Sequence, residues 1–262
     1  MGICPLKPKL KQSMSMKITP LKLEQPAKRD IKRKYNLKYD EVLGMGQFGK
    51  VIMATNAFDP RQKVAVKALS KEKLGDKIIK LKKEVVFLRK LDSPYVVKYH
   101  EFFEDKKYFY LVMEYCPGGE LFREIAMKLE QNRRYKEGEA ATIMQKLFKA
   151  VSHIHSKGIA HRDIKPENII WYRDKDESHF KLIDFGLAHK FVKQSQISTG
   201  MIVGTPLYLA PEAFEGISNL EADLWGCGVL MCVMLSGSYP FVGNNISELR
   251  CNIQEVQEIN LS

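Results

Sequence analysis

The chain has 262 residues, 45% of them apolar and 28% charged. That composition allows a sizeable core and excludes collagen-like, wholly disordered and disulfide-stapled classes. The net charge of +11 is uneven, since the first 34 residues hold ten Lys and Arg against two Asp and Glu, and a near-neutral body argues against nucleic acid as a partner.

Residues 1–36 read as a basic tail. Pro5, Pro8, Pro20 and Pro26 interrupt it and no hydrophobic period develops, so a disordered leader is expected. Nothing near Met1 forms the apolar centre of a secretory signal. Met1-Gly2-Ile3-Cys4 hints at acylation of Gly2 and Cys4, although Leu6 breaks the usual myristoylation pattern and Pro5 is unusual there. Lipid chains together with the basic tail would give weak membrane association. From residue 37 to 262 the pattern is that of a folded domain, with a first lobe to about 115 and a second from about 116. Residues 39–51, 63–68, 96–103 and 108–115 read as strands. Residues 77–91 read as a helix, with Ile78, Leu81, Val85 and Leu88 at helical spacing. After Gly119 the chain turns helical, over residues 120–128, 139–157 and 220–235. The last of these holds the longest apolar stretch, too short to cross a bilayer, and reads as a buried helix. A small β lobe before a helical lobe is an α+β arrangement with a cleft between its halves. The five cysteines form no C-x-x-C pair and read as free thiols, which places the chain in the reducing cytoplasm.

Three groups of residues carry chemistry. Gly44-Met45-Gly46-Gln47-Phe48-Gly49 has the G-x-G-x-x-G spacing that lets backbone approach phosphate oxygens. A plain glycine-rich hairpin fits it equally well. A dinucleotide fingerprint fits less well, because a strand and not a helix follows Gly49. Further on, Ala65 and Lys67 share one face of a strand, as an adenine ring and a phosphate chain would require. Glu84 shares the inward helix face of Leu81 and Leu88, and a carboxylate there needs a partner, which Lys67 can supply. Densest is His161-Arg162-Asp163-Ile164-Lys165-Pro166-Glu167-Asn168, followed by Asp184-Phe185-Gly186. Asp163 can accept a hydroxyl proton, Lys165 can neutralise a moving phosphoryl group, and Asn168 and Asp184 are oxygen ligands suited to Mg²⁺.

With Ala210-Pro211-Glu212 and Asp223-Leu224-Trp225-Gly226, these motifs resemble the catalytic domain of eukaryotic protein kinases in their order along the chain. Lys165 to Asn168 and Gly204-Thr205-Pro206 resemble the serine/threonine class. Residues 114–122, 171–184 and 204–212 are similar to calcium-dependent protein kinases, within the calcium/calmodulin-dependent group. The resemblance implies a two-lobed kinase-like fold with ATP and Mg²⁺ as cofactors and proteins as substrates. It implies that Gly44, Gly46 and Gly49 cover the phosphates and that Leu43, Val51, Ala65, Leu121 and Ile170 enclose the adenine. Met113 would narrow the pocket, and Glu114 to Cys116 would form the hinge that bonds the adenine edge. Lys67, placed by Glu84, would hold the α- and β-phosphates. Asn168 and Asp184 would hold Mg²⁺, and Asp163 and Lys165 would act on the substrate hydroxyl. Leu88, Tyr99, His161 and Phe185 would stack into a column tied to Asp223. Glu120 and Glu167 would face a substrate arginine at position −3, or Glu120 would bind the ribose and Glu167 cap its loop. The site that reads −2 in some relatives falls near apolar Val233. Thr205 would contact Asp163 and Lys165. A phosphate on Ser195, Ser198 or Thr199 would pair with Arg162.

Some features depart from the family pattern. The chain ends before the helices that usually close the domain, so Glu212 is expected to lack its arginine partner. No EF-hand is readable: Asp174-Lys175-Asp176 lacks the glycine and glutamate of a Ca²⁺ loop and reads as a hairpin tip. His153 and His155 read as a helix end, and Cys227 and Cys232 as packing thiols. Three functions therefore stand against one another: an active serine/threonine kinase, a catalytically weak kinase-like binding or scaffold protein, and a membrane- or nucleic-acid-binding protein driven by its basic tail. The full catalytic set favours the first.

Overall fold

The computed structural model describes residues 25–27, 30–173, 179–191, 196–198 and 200–255. Gly2, Cys4, the hairpin tip expected at 174–178, Ser195 and Thr199 lie outside them. The first lobe is one antiparallel sheet made of β1 (Tyr35–Gly46), β2 (Gly49–Asn56), β3 (Lys63–Ser70), β4 (Tyr99–Glu104) and β5 (Tyr108–Glu114), in the order β1-β2-β3-β5-β4. Between β3 and β4 the chain forms α1 (Lys71–Leu74) and α2 (Ile78–Leu88). Ser70 caps α1 by accepting the Lys73 N–H. Leu81, Glu84, Val85 and Leu88 are buried on one stripe of α2, as their spacing requires.

The second lobe contains α3 (Leu121–Glu130), α4 (Glu137–Ser156) and, further along, α5 (Ala222–Ser236) and α6 (Ile246–Glu255). Short strand pairs lie between them: β6 (Ile159–Ala160) with β9 (His189–Lys190), β7 (Ile169–Trp171) with β8 (Phe180–Leu182), and β10 (Ile197–Ser198) with β11 (Ile217–Ser218). The Glu139 carboxylate accepts the Lys136 N–H at the start of α4, and Ala140, Ile143, Met144, Leu147, Ala150, Val151 and Ile154 bury one face of that helix. α5 is apolar on most sides, which suits its central place, and Gly237 ends it at φ 76°, where a side chain would be strained. One core cluster runs from Leu81 and Leu88 through Leu111 to Leu147, Leu182 and Leu230, so the lobes share an interior.

The expected strand at 39–51 is two strands. Gly46 pairs with Gly49 across a turn at Gln47 and Phe48. A Cβ on Gly49 would stand 1.9 Å from the Ala68 carbonyl oxygen, so only glycine lets β2 lie this close to β3. The expected strand at 96–103 starts later, at Tyr99, because Val96 bridges to Leu182 of β8 instead. Sequence reading missed α6. Its signals are an Asn245 side chain that accepts the Glu248 N–H at 3.0 Å and the buried pair Leu249 and Ile253 four residues apart. Arg250 of α6 pairs with Glu215, and among the described residues no ion pair reaches Glu212. Cys227 and Cys232 are buried, as expected of packing thiols.

Packing on the sheet's outer face extends to residues before 36. The Ala27 N–H donates to the Phe102 carbonyl at 2.7 Å, and Lys34 pairs with Glu101. Ile31 is 2% exposed in a second core with Ile52, Val66, Phe103 and Val112. Ile31→Ala should therefore lower the unfolding free energy by about 2–4 kcal/mol, whereas Ile79→Ala on the open face of α2 should change it by less than about 0.5 kcal/mol. Urea denaturation of both variants checks this, and equal midpoints would refute the packing.

Candidate functional site

A cleft of about 340 Å³ separates the lobes, a size suited to a small ligand. Period two on β3 turns Ala65 and Lys67 into it, and Val51 of β2, cross-strand from Lys67, joins them. Leu43, Gly44, Met113, Glu114, Cys116, Glu120 and Ile170 also line it, as expected. Gly46 and Gly49 lie outside its wall, in the hairpin turn, where Gly49 serves the close approach of β2 to β3. Leu121 does not enclose the cleft either. It is fully buried in the shared core, because the first turn of α3 points it inward. Val97, Arg123 and Ile183 line the cleft and were missed. Ile183 was legible as the apolar residue before Asp184, but Val97 enters only through its backbone bond to Leu182 at 3.0 Å.

At the inner end Lys67 Nζ donates to Glu84 Oε1 at 2.8 Å and to Asp184 Oδ1 at 3.1 Å. Burial pushes the Lys67 ammonium down, but the two carboxylates outweigh it and its pKa is raised. Lys67 holds the Asp184 carboxyl below the ordinary range, while burial pushes Glu84 up. The three groups behave as one unit in which a single cation serves two anions.

A second cluster stands beside it. Asp163 Oδ1 accepts the Thr205 hydroxyl at 2.7 Å, Lys165 Nζ donates to Thr205 Oγ1 at 2.8 Å, and Lys165 lies 3.0 Å from Asp163 Oδ2. Asn168 Nδ2 donates to the Asp163 carbonyl at 2.7 Å and to Oδ2 at 3.0 Å. Asn168 Oδ1 and Asp184 Oδ2 have no hydrogen bond among the described residues. Two hard oxygens of this kind fit Mg²⁺, which takes one or two protein oxygens and completes its shell with water and phosphate. Elsewhere among the described residues no group of three His, Cys, Asp or Glu could hold a metal. His155 instead bonds Asp223 at 2.8 Å, and His153 Nε2 accepts the Asp92 N–H.

Both clusters are fixed from behind. Asp223 is 1% exposed and accepts the N–H groups of His161 at 2.8 Å and Arg162 at 2.7 Å. The His161 ring meets Phe185 edge-on at 4.8 Å, Leu88 and Phe185 share the main core, and Tyr99 packs against it. Arg162 and Asp184 adopt φ of 66° and 58°, left-handed values that non-glycine residues keep only under outside constraint. The half-buried Arg162 side chain donates to the Leu187 carbonyl at 2.7 Å and makes no ion pair among the described residues. Ser198 lies in β10, paired with Ile217. Glu120 caps α3 without a side-chain bond, and Glu167 Oε2 is buried with no partner among the described residues.

Residues 37–261 match the family model of the protein kinase domain. Calcium-dependent protein kinase 5 of Plasmodium berghei is 37% identical over 221 residues, 84% of this chain and 38% of that protein. Calcium-dependent protein kinase 3 of Plasmodium yoelii yoelii is 40% identical over 215 residues, 82% of this chain and 38% of that protein. Maternal embryonic leucine zipper kinase of Xenopus laevis is 39% identical over 218 residues, 81% of this chain and 32% of that protein. The chain thus spans between 32% and 38% of the length of these relatives.

The lysine bridge has a pH signature. Asp184 is depressed, so its stabilising share is present above the ordinary carboxylate range and is lost as pH falls through its folded value. Lys67 is raised, so its share is present at neutral pH and is lost only in strong alkali. Lys67→Met removes both shares. The stability gap between wild type and variant should be wider at neutral pH and narrow below about pH 4. Urea unfolding across that range measures it, and a gap that widens in acid would contradict the bridge.

Proposed function

Because the chain belongs to the protein kinase family, we propose that it transfers the γ-phosphoryl group of ATP to serine and threonine hydroxyls of proteins. The observation that carries this reading is the formed Lys67–Glu84–Asp184 bridge at the inner end of the cleft, with Asn168 bonded both to Asp163 and to the residue before Asp184. A binding-only relative has no need to hold these charges together at the cost of their hydration.

In this reading the backbone of residues 44–51 covers the ATP phosphates, and Lys67 binds the α- and β-phosphates while Glu84 orients it. Backbone groups of Glu114 and Cys116 bond the adenine edge, Met113 narrows the pocket behind it, and Val51, Ala65 and Ile170 cover its faces. Asn168 and Asp184 would hold Mg²⁺, which would neutralise phosphate charge when bound. The substrate hydroxyl takes the place near Asp163 Oδ1 that the Thr205 hydroxyl now marks. Asp163 orients it and accepts its proton as the new O–P bond forms and ADP leaves. Lys165 stabilises the charge on the transferring group. A phosphate on Ser195, Ser198 or Thr199 would give the Arg162 guanidinium, which makes no ion pair among the described residues, an anionic partner.

Glu167 Oε2, buried with no partner among the described residues, supports a cationic substrate side chain. Glu120, on the neighbouring rim of the cleft, would share it, which gives a preference for Arg at −3. Val233 is buried and offers no second acid for position −2.

Asp163→Asn should lower kcat by about 10²–10⁴-fold and leave the ATP dissociation constant within about twofold, because Asp163 meets the hydroxyl and not the nucleotide. Steady-state kinetics with nucleotide titration checks this, and wild-type turnover in the variant would refute the mechanism. Replacing Arg by Ala at −3 of a peptide should cost about 1.5–3 kcal/mol, or ~10–150-fold in kcat/KM. Glu167→Gln should shrink that ratio. A ratio near one in the wild-type enzyme would remove the arginine assignment.

A further inference from the structure

Lys181 is a charged residue in a place that disfavours a lone charge. It sits in the middle of β8 and is 9% exposed. Its Nζ lies 2.9 Å from Glu114 Oε2 and 5.1 Å from the centre of the Tyr172 ring. Glu114 is the last residue of β5, and the same Oε2 accepts the Lys98 N–H at 3.2 Å, just before β4. One carboxylate oxygen therefore joins the entry to β4, the end of β5 and β8. Backbone bonds run alongside it, from the Glu114 N–H to the Lys98 carbonyl at 2.9 Å and from the Val97 N–H to the Leu182 carbonyl at 3.0 Å.

This junction joins the cleft's walls, with Glu114 in the lining and Lys181 behind it. Lys181 is not among the residues that line it, but its cross-strand neighbour Ile170 is, and so is Ile183, two residues further on. On the other side Glu114 begins the connection that carries Cys116. Both charges are felt at that thiol, whose pKa is pushed up to about 12, chiefly by burial, with Glu114 adding to the rise and Lys181 opposing it. Removing one member of a buried pair leaves the other without compensation, and that charge gains by swinging toward water. Here the swing would move the main chain at 114–116 relative to the floor at Ile170.

We propose that the Lys181–Glu114 ion pair is a strut that fixes the spacing between the 114–116 connection and the β7–β8 floor, making Lys181 a positioning residue for the nucleotide. The proposal rests on the reading of the cleft as a nucleotide site. Lys181 touches no reacting atom in that reading, so its loss acts on binding and spares the chemical step.

The test uses the full chain as wild type, Lys181→Met, Lys181→Arg, Glu114→Gln and the double variant Lys181→Met/Glu114→Gln. Calorimetric titration with Mg²⁺ and a non-hydrolysable ATP analogue is compared with thermal melting and with peptide kinetics. Lys181→Met should weaken analogue binding and raise the ATP KM by about tenfold, corresponding to about 1.4 kcal/mol, with kcat at saturating ATP within about twofold. Lys181→Arg should restore binding to within about twofold, because it keeps the charge. The double variant should bind better than Lys181→Met, because no orphaned carboxylate remains. Wild-type affinity in folded Lys181→Met would overturn the strut, as would a double variant whose losses simply add. Should Lys181→Met fail to fold, Glu114→Gln decides: weaker binding supports the strut and unchanged binding overturns it. A wild-type chain that binds no analogue would overturn the nucleotide reading, and the strut with it.

Discussion

One ammonium group organises the centre of this molecule. Lys67 comes from β3, Glu84 from α2 and Asp184 from the loop after β8, and their contacts of 2.8 and 3.1 Å tie three distant stretches of chain to a single point. Two carboxylates this close repel each other, and Glu84 is almost wholly buried. Without Lys67 the pair would separate or take up a proton. With it, α2 is held against the sheet, and the half-exposed Asp184 is kept ionised at the inner end of the cleft. The geometry that favours folding here also presents a cation and an open carboxylate oxygen to a ligand.

The rest of the site depends on buried polar anchors of the same kind. Asp223 reaches from α5 to two successive backbone N–H groups of the loop that carries Asp163. Those bonds hold Arg162 at a positive φ and set the Asp163 carboxylate beside Lys165 and Thr205. A buried carboxylate that accepts several N–H bonds is well satisfied, so its removal would cost more than one contact suggests. Asp223 thus serves the second cluster as Glu84 serves the first. Each is a charge placed in the interior so that another charge stands at the surface in a fixed orientation.

Much of this was legible in the sequence, for physical reasons. Period two on a strand put Ala65 and Lys67 on one face, and helical spacing put Glu84 inward, so their meeting followed from the need to pair a buried carboxylate. The α+β order of elements and the placing of α4 and α5 followed from apolar periodicity in the same way. The turn at Gln47 and Phe48 was legible only as the glycine-rich hairpin alternative, and the single strand read over 39–51 ran through it because strand propensity continues on both sides. Leu121 was assigned to the cleft by the family resemblance, whereas the first turn of α3 rotates it into the core. The Lys181–Glu114 pair was not readable at all. Its partners lie far apart in sequence, and nothing local marks either as buried.

The central claim is that these two charged clusters form a working phosphoryl-transfer site and not merely a nucleotide pocket. The most direct measurement incubates the purified chain with ATP labelled in its γ-phosphate, Mg²⁺ and a peptide holding one serine and an arginine three residues before it. The account predicts that label moves to the peptide as phosphoserine, and that omitting Mg²⁺ abolishes the transfer. Saturable nucleotide binding with no label on the peptide would contradict it and leave the chain a kinase-like binding protein.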